Sequence, residues 1–252
     1  MEGAVLRAQG LAKEFRGFRA VDGVDLDVAE GSVHALVGPN GAGKTTLFNL
    51  LTGFLKPSAG SIRLGEHDLT GRRPEHVARL GVARSFQITS LFPQMTPREH
   101  VELALASPTG LTWRFWRSQR TLDRHAARAM ELLDQVGLAA HAATPAGTLA
   151  YGHKRALELA LALALDPRVL LLDEPTAGMG VEDVERTVEL VRKVRAGRTV
   201  VMVEHNMTVV ASLADRVTVL QSGRVLAEGP YAEIRHDPRV ISAYLGDADA
   251  VH

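Results

Sequence analysis

A glycine-rich stretch, Gly38 to Thr46, constrains the fold of this chain more than any other feature. It reads Gly-Pro-Asn-Gly-Ala-Gly-Lys-Thr-Thr and matches the pattern G-x-x-x-x-G-K-[ST]. The apolar run Val33 to Val37 precedes it, and a segment with helical character, Leu47 to Leu51, follows it. This order predicts a strand, a loop and a helix, with backbone N–H groups and the helix N-terminus arranged around an anion.

The side chains of this stretch suit a nucleotide. Lys44 can reach the terminal phosphates, and the hydroxyl of Thr45 can ligate Mg²⁺. An accidental glycine turn is the alternative, and the flanking strand and helix patterns disfavour it. The sequence therefore predicts a nucleoside triphosphate site. Its binding residues are Gly38, Pro39, Asn40, Gly41, Ala42, Gly43, Lys44, Thr45 and Thr46.

Composition limits the class of protein and its partners. The 252 residues, 46% of them hydrophobic, suffice for one large α/β domain or two small ones. Basic and acidic residues both number 29, so net charge gives no argument for nucleic acid as a partner. The absence of cysteine excludes disulfides and thiolate chemistry. The most apolar segment, Leu157 to Leu172, contains charges and a proline, so we expect a soluble protein that reaches membranes through a partner.

Alternation and apolar runs predict strands in the first third of the chain. Residues 24–28 alternate between apolar and acidic side chains, which predicts antiparallel strands within residues 1–30. Phe15 lies in the turn before this alternation, where its ring could stack on an adenine or simply pack in the small sheet. Residues 82–86 predict a strand that ends at Gln87, either a site residue or a surface amide.

Residues 91–150 show helical spacing and no strand pattern, so we expect an inserted helical subdomain there. Thr96-Pro97-Arg98-Glu99 has the features of a helix start. Between two predicted helices lies Trp113-Arg114-Phe115-Trp116-Arg117, which contains both tryptophans. This cluster could face a partner or lipid head groups, but a hydrophobic lid over the helices is favoured because most apolar clusters are core.

Two acids follow a run that predicts a buried strand. Val169 to Leu172 is apolar throughout, which is typical of a strand covered on both faces. Asp173 and Glu174 come next, and such acids are costly unless they serve a cation. Asp173 suits the Mg²⁺ bound by Thr45, and Glu174 suits a general base for an attacking water. The alternative, a pair of solvated turn acids, is weak beside the glycine loop.

A third strand end supplies a histidine. Residues 199–203 predict a buried strand, and His205 follows it, where it could donate to a γ-phosphate or be structural. Because the carboxyl ends of parallel strands meet at one edge of a sheet, we expect these strand ends to converge on one crevice. The side chains expected in that pocket are Lys44, Gln87, Asp173, Glu174 and His205.

In their order along the chain, these motifs resemble the ATP-binding subunits of ABC transporters. The family signature corresponds to Leu149-Ala150-Tyr151-Gly152-His153, followed by a helix predicted over Lys154 to Leu165. More narrowly, Arg84 to Gln87 and Ile241 to Gly246 resemble the branched-chain amino-acid uptake branch, whose close relatives handle urea and short amides.

The chain departs from the family pattern at two positions. His153 stands where glutamine is usual in the signature. Gly180 stands where the family has an aspartate or asparagine that makes a contact across the subunit interface.

The resemblance implies an α/β P-loop ATPase of the ABC type. Its fold would have a mainly parallel core sheet, an N-terminal antiparallel β subdomain and an inserted helical subdomain. Residues 1–252 would form a single domain, with the core in 1–90 and 151–252 and the helical subdomain in 91–150.

The resemblance also implies roles for individual residues. Phe15 would stack on the adenine, and the signature residues Ala150, Tyr151 and Gly152 would contact ATP bound by a facing second subunit. The metal ligands would be Thr45, Gln87 and Asp173. The catalytic residues would be Glu174, His205, Gln87 and Lys44.

We therefore expect a chain that binds ATP and Mg²⁺ and powers a membrane transporter, for branched-chain amino acids. Its partners would be a second ABC ATPase, identical or different, and transmembrane permease subunits, with no nucleic acid, at the cytoplasmic face of the inner (plasma) membrane. Three alternatives are an ATPase of a urea or amide transporter, a soluble ABC-type ATPase without a transporter, and a nucleotide sensor without useful hydrolysis. Glu174 and His205 argue against the last of these.

Overall fold

Two β-sheets and a series of helices make up the parts of the chain that the computed structural model describes, residues 4–85, 91–106 and 119–246. The strands are β1 (Ala4–Phe15), β2 (Phe18–Ala29), β3 (Val33–Val37), β4 (Ala59–Leu64), β5 (His67–Asp68), β6 (Val82–Arg84), β7 (Val169–Asp173), β8 (Thr199–Val203), β9 (Arg216–Gln221) and β10 (Arg224–Gly229). The helices are α1 (Lys44–Leu51), α2 (Pro74–Arg79), α3 (Pro97–Ala106), α4 (Gln119–Gln135), α5 (Tyr151–Leu163), α6 (Val181–Val194), α7 (Met207–Leu213), α8 (Tyr231–Ile234) and α9 (Pro238–Gly246).

The smaller sheet is antiparallel and has the strand order β2-β1-β4-β5. Strands β1 and β2 pair along most of their length and are joined at Arg16-Gly17, where both residues have positive φ. The second half of β2, residues 24–29, alternates between buried apolar and exposed residues, because one face of the sheet covers the core and the other meets solvent. The predicted antiparallel N-terminal strands are therefore present.

The larger sheet has the order β10-β9-β3-β8-β7-β6 and is parallel from β9 to β6. Only the hairpin partner β10 runs antiparallel to its neighbour, across the turn Ser222-Gly223, where both residues have positive φ. All five residues of β3 and all five of β8 are buried, as the continuous apolar runs predict.

Successive side chains of the parallel strands enter two different cores. Leu170 and Leu172 of β7 belong to a core shared with the helices α3 to α7. Leu171, between them, belongs to a second core that lies between the large sheet, α1 and the antiparallel sheet. Period-2 alternation explains this division, since neighbouring residues in a strand point to opposite faces. The sheet is thus covered on both sides.

In the segment between β6 and β7, the regular elements among the described residues are all helical. It contains α3, α4, two short 3-10 turns at Ala139–His141 and Ala146–Thr148, and then α5. The cluster Trp113 to Arg117 lies outside the described residues.

Both predicted boundaries of one helix are wrong. Helix α5 begins at Tyr151 and not at Lys154, because Ala150 takes the extended conformation of an N-cap. Gly152 then lies in the first turn, where the backbone N–H groups have no partner within the helix. The helix also ends at Leu163, two residues earlier than the pattern indicated.

Candidate active site

The ends of three neighbouring strands lie in one row. Leu36 of β3 is opposite Val203 of β8, and Val203 is opposite Asp173 of β7. The chain that leaves each strand therefore emerges at the same edge of the sheet. This row brings the glycine loop after β3, Glu174 after β7 and His205 after β8 to one edge.

The glycine loop has the backbone conformation that its composition predicts. Gly38, Gly41 and Gly43 all have positive φ, of 146°, 77° and 99°. A Cβ atom added to Gly38 or Gly43 would lie closer than 3.0 Å to a backbone oxygen, of Leu220 and Ala20 respectively. Glycine is therefore required at both positions by conformation and by space. Gly43 is the N-cap of α1, so the loop delivers the N-terminus of this helix to the site.

Lys44 is the first residue of α1 and is only 6% exposed. Its ammonium group donates to the carbonyl oxygen of Gly38 at 2.7 Å and to that of Pro39 at 2.9 Å. The cation is thus fixed over the loop by the loop's own backbone. Thr45, the next residue, is exposed at the start of the helix.

Glu174 and His205 are in direct contact. Nε2 of His205 lies 2.8 Å from Oε1 of Glu174, and both side chains are about two-fifths exposed, at 43% and 42%. The backbone N–H of Glu174 donates to the carbonyl of Val203 at 2.9 Å, which fixes it beside the end of β8. Glu174 has φ of +47°, a region that non-glycine residues seldom adopt and that clusters at functional sites.

A second acid, Glu204, connects the two loops that carry this pair. It is 3% exposed and accepts hydrogen bonds from the N–H of Thr176 at 3.0 Å and from its hydroxyl at 2.5 Å. It also accepts from the N–H groups of His205, at 2.9 Å, and of Asn206, at 3.1 Å. A buried carboxylate needs such donors. Glu204 thereby connects the loop after Glu174 to the loop that carries His205. Sequence reasoning missed this role. The pattern that could have indicated it is an acid directly after a buried strand.

Asp173 is paired with an arginine that sequence reasoning did not assign to the site. Nη2 of Arg84, at the end of β6, donates to Oδ2 of Asp173. Nη1 of Arg84 donates to Oδ1 of Asn49 in α1 at 2.7 Å, and its guanidinium lies 5.6 Å from the ring centroid of Phe48. Both partners of the ion pair are 18% exposed. Arg84 thus connects the helix of the glycine loop with the strand that carries Asp173.

The remaining predicted site residues lie elsewhere or are not described. Phe15 ends β1 in the antiparallel sheet, is 42% exposed, and has the ammonium of Lys13 at 5.1 Å from its ring centroid. Gln87 lies outside the described residues. Ala150, Tyr151 and Gly152 form the start of α5.

His153, the departure in the signature, packs against another histidine. The ring centroids of His153 and His141 are 4.4 Å apart. Burial, followed by the positive charges of His141 and Arg186, lowers the pKa of His153. His153 forms part of the packing between α5 and the 3-10 turn that ends at His141.

Comparisons with known proteins identify the class. The family model described as ABC transporter matches residues 21–177, and a second model, described as branched-chain amino acid ATP-binding cassette transporter, matches residues 224–250. The chain belongs to the ABC transporter ATP-binding family.

Relatives that match nearly the full length of the chain indicate which branch of the family it resembles. The chain is 42% identical to the high-affinity branched-chain amino acid transport ATP-binding protein BraF of Pseudomonas aeruginosa, over 98% of this chain and 100% of the relative. It is 40% identical to the corresponding protein LivG of Escherichia coli, over 98% of this chain and 100% of the relative.

Solved structures give the same result for the fold. An ATP-binding cassette of an ABC transporter in its ADP conformation superposes with a TM-score of 0.86 at 29% identity, over 96% of this chain and 98% of that one. A dimeric cassette in a post-hydrolysis state bound to ADP and Pi gives 0.76 at 25% identity, over 90% and 98%. The predicted ABC-type α/β fold is confirmed, and so is the prediction of an ATP-binding, ATP-hydrolysing protein.

None of the helices in the described part of the chain has the length and apolar character needed to cross a lipid bilayer.

Proposed function

We propose that this chain is the ATP-hydrolysing subunit of a membrane transporter that takes up branched-chain amino acids. The observation that carries the hydrolytic part is the Glu174–His205 contact at 2.8 Å, at the sheet edge where the glycine loop begins. The cargo is inferred from the relatives that match this chain from end to end and are named for branched-chain amino acid transport. Those names do not favour the urea and amide alternative.

In the proposed reaction, Glu174 accepts a proton from the attacking water while His205 orients its carboxylate and approaches the γ-phosphate. Lys44 and the N–H groups of the glycine loop hold the phosphates, since donors and a helix N-terminus point at the same spot. Preorganised donors of this kind stabilise the charge that builds up during phosphoryl transfer. Phe15 is proposed to stack on the adenine. Gln87, which lies outside the described residues, is proposed to ligate the metal and to take part in catalysis.

The donors at the sheet edge fit Mg²⁺. The described residues contain no group of three or more acidic, histidine or cysteine side chains that could enclose a metal. Asp173 at the end of β7 and the exposed hydroxyl of Thr45 instead offer two oxygens, which suits a cation that keeps several waters and shares phosphate oxygens. When bound, Mg²⁺ would neutralise charge on the β- and γ-phosphates. Asp173 and Thr45 would hold it.

We propose that two ATPase subunits face each other, identical or different, and that they dock on permease subunits at the cytoplasmic face of the plasma membrane. The solved relative in a dimeric ADP and Pi state supports the facing arrangement. Ala150, Tyr151 and Gly152 would then meet the ATP of the opposite subunit through the N-terminus of α5.

Two measurements test this function. In Glu174→Gln, ATP should still bind and a stable dimer should accumulate with ATP, while phosphate release should fall at least about 100-fold because the base is lost. Wild-type turnover in this variant would mean that Glu174 is not the base.

The transporter is tested by co-purification. The tagged chain, taken from detergent-solubilised membranes, should carry multi-span subunits, and liposomes containing the complex should accumulate labelled leucine in the presence of ATP. The Glu174→Gln complex is the matched control and should not accumulate it. Recovery without any membrane protein would favour an ABC-type ATPase without a transporter, and uptake of urea but not leucine would change the cargo.

A further inference from the structure

The tyrosine in the signature reaches the loop that follows the proposed base of the same subunit. Its hydroxyl donates to the carbonyl oxygen of Ala177 at 3.2 Å. The N–H of Ala177 in turn donates to the carbonyl oxygen of Glu174 at 3.1 Å. One side chain at the start of α5 is therefore connected, through the single residue Ala177, to the backbone of Glu174.

Tyr151 is itself fixed by its own helix. Nη2 of Arg155, one turn along α5, donates to the Tyr151 hydroxyl at 3.3 Å, and the guanidinium lies 5.6 Å from the ring centroid. Nη1 of Arg155 donates to Oε2 of Glu158 at 3.0 Å. Glu158 is 1% exposed, and burial raises the pKa of its carboxyl to about 7, a rise that the Arg155 guanidinium opposes. The contact with this buried carboxyl restricts where the guanidinium can lie. The hydroxyl of Tyr151 thus meets a fixed donor on one side and Ala177 on the other.

The loop after Glu174 is held by contacts to the loop after β8, to α5 and to α6. Glu174 and Gly178 both have positive φ, of 47° and 73°. Gly180 replaces the acid or amide expected from the resemblance and contributes no side chain of its own. Thr176 is bound to Glu204, as described above, and the hydroxyl of Thr187 in α6 donates to Sδ of Met179 at 3.3 Å, so Ala177 lies between these two contacts. Between them, the Tyr151 hydroxyl contacts Ala177, one residue before Gly178.

We propose that Tyr151 is a positioning residue that holds the loop of residues 175–180 and, through Ala177, the backbone of Glu174, with Arg155 and Glu158 fixing its hydroxyl. This inference rests on the proposed function only in taking Glu174 as the base. The contact gives the tyrosine at this position of the signature a role within its own subunit. The start of α5 and the backbone of the proposed base are then coupled within one subunit.

The test is Tyr151→Phe, which removes only the hydroxyl oxygen. Hydrogen exchange of the amides in residues 176–180 should accelerate three- to tenfold, as expected for the loss of one hydrogen bond from a local opening unit. Phosphate release per enzyme should fall by a similar factor, while the KM for ATP stays within about twofold. Arg155→Lys keeps the charge but cannot bond Tyr151 and Glu158 together, so it should change the same amides in the same direction.

Tyr231→Phe in α8 is the matched control and should leave both measurements unchanged. Unchanged exchange at residues 176–180 in Tyr151→Phe, or an equal change in Tyr231→Phe, would overturn the proposal. The exchange measurement does not depend on hydrolysis. If Glu174→Gln retained full turnover, the assignment of the base would fail, and the exchange data would still decide the role of Tyr151.

Discussion

Replacing Gly43 by alanine tests whether the shape of the phosphate loop follows from space and backbone conformation. Gly43 has φ of 99° and caps α1, and its Cα faces the carbonyl oxygen of Ala20 in β2. An added Cβ would lie closer than 3.0 Å to that oxygen, a separation that real Cβ atoms essentially never show. Since the obstacle is backbone and not a flexible side chain, the loop or the strand must move.

The expected cost follows from two separate effects. A left-handed conformation costs a residue with a Cβ about 1–2 kcal/mol. Overpacking against a backbone that cannot yield adds about 1–3 kcal/mol. Gly197 is the matched control, because it has φ of 73° with no atom within 4 Å of an added Cβ. Both variants bear the cost of the left-handed backbone conformation. Both also gain a smaller stabilisation, because alanine lowers the conformational entropy of the unfolded chain. These two effects cancel when the variants are compared. Gly43→Ala should therefore be about 1–3 kcal/mol less stable than Gly197→Ala.

Guanidinium unfolding followed by circular dichroism measures this difference, with the slope checked for equality between the two variants. Affinity for a fluorescent ATP analogue is measured in parallel. It should fall at least about tenfold in Gly43→Ala, since a small displacement of the donors costs several hydrogen bonds, and should not change in Gly197→Ala. Equal unfolding free energies and equal affinities would refute the reasoning, because they would mean that the loop accommodates the Cβ without moving.

Three further predictions concern single side chains. Lys44→Ala should weaken ATP binding at least about tenfold in a fluorescence titration, because a buried charge-assisted donor is lost; unchanged affinity would contradict the role of the loop. His153→Gln should change ATPase activity by less than about threefold, since His153 packs against His141; complete loss would reveal a further role for it. Burial lowers the pKa of His34 to about 4, so the unfolded chain binds the extra proton first as pH falls from 6.5. Wild-type protein should therefore lose about 3 kcal/mol more stability than His34→Gln between pH 7 and pH 4, measured by urea unfolding at each pH; parallel curves would contradict this.

The sequence predicted the strands around the site well because their patterns are local. A continuous apolar run such as Leu170 to Leu172 can be satisfied only by burial on both faces, and the glycine loop admits few conformations. The parallel order could also be expected, because each of these runs is separated from the next by a helical pattern. Hydrophobic periodicity could not predict the start of α5. Gly152 lies in its first turn, and a glycine in the sequence usually indicates a break in a helix.

Long-range partners were beyond sequence reasoning. Arg84 and Asp173 are separated by 89 positions, and Glu204 and Thr176 by 28, so nothing local indicates that they meet. The polar character of Glu204 was visible, but its role depends on donors from a different loop. The pairing of β6 with β7 decides which arginine meets Asp173, and such register emerges only when the sheet forms.

The two side-chain contacts at the sheet edge, Glu174–His205 and Arg84–Asp173, differ in a way that bears on the order of events when nucleotide binds. The Glu174–His205 pair is about two-fifths exposed on each side, so solvent screens it and it contributes about 0–1 kcal/mol. It can therefore open at low cost when water and the γ-phosphate approach. The Arg84–Asp173 pair is 18% exposed, and its guanidinium is also bonded to Asn49 of α1. Removing Arg84 from Asp173 would leave a poorly solvated carboxylate, so a cation must take over or share that oxygen before the pair separates. The Glu174–His205 contact is thus suited to rearrange in each cycle. The Arg84–Asp173 pair instead keeps Asp173 in a fixed position relative to the helix of the phosphate loop.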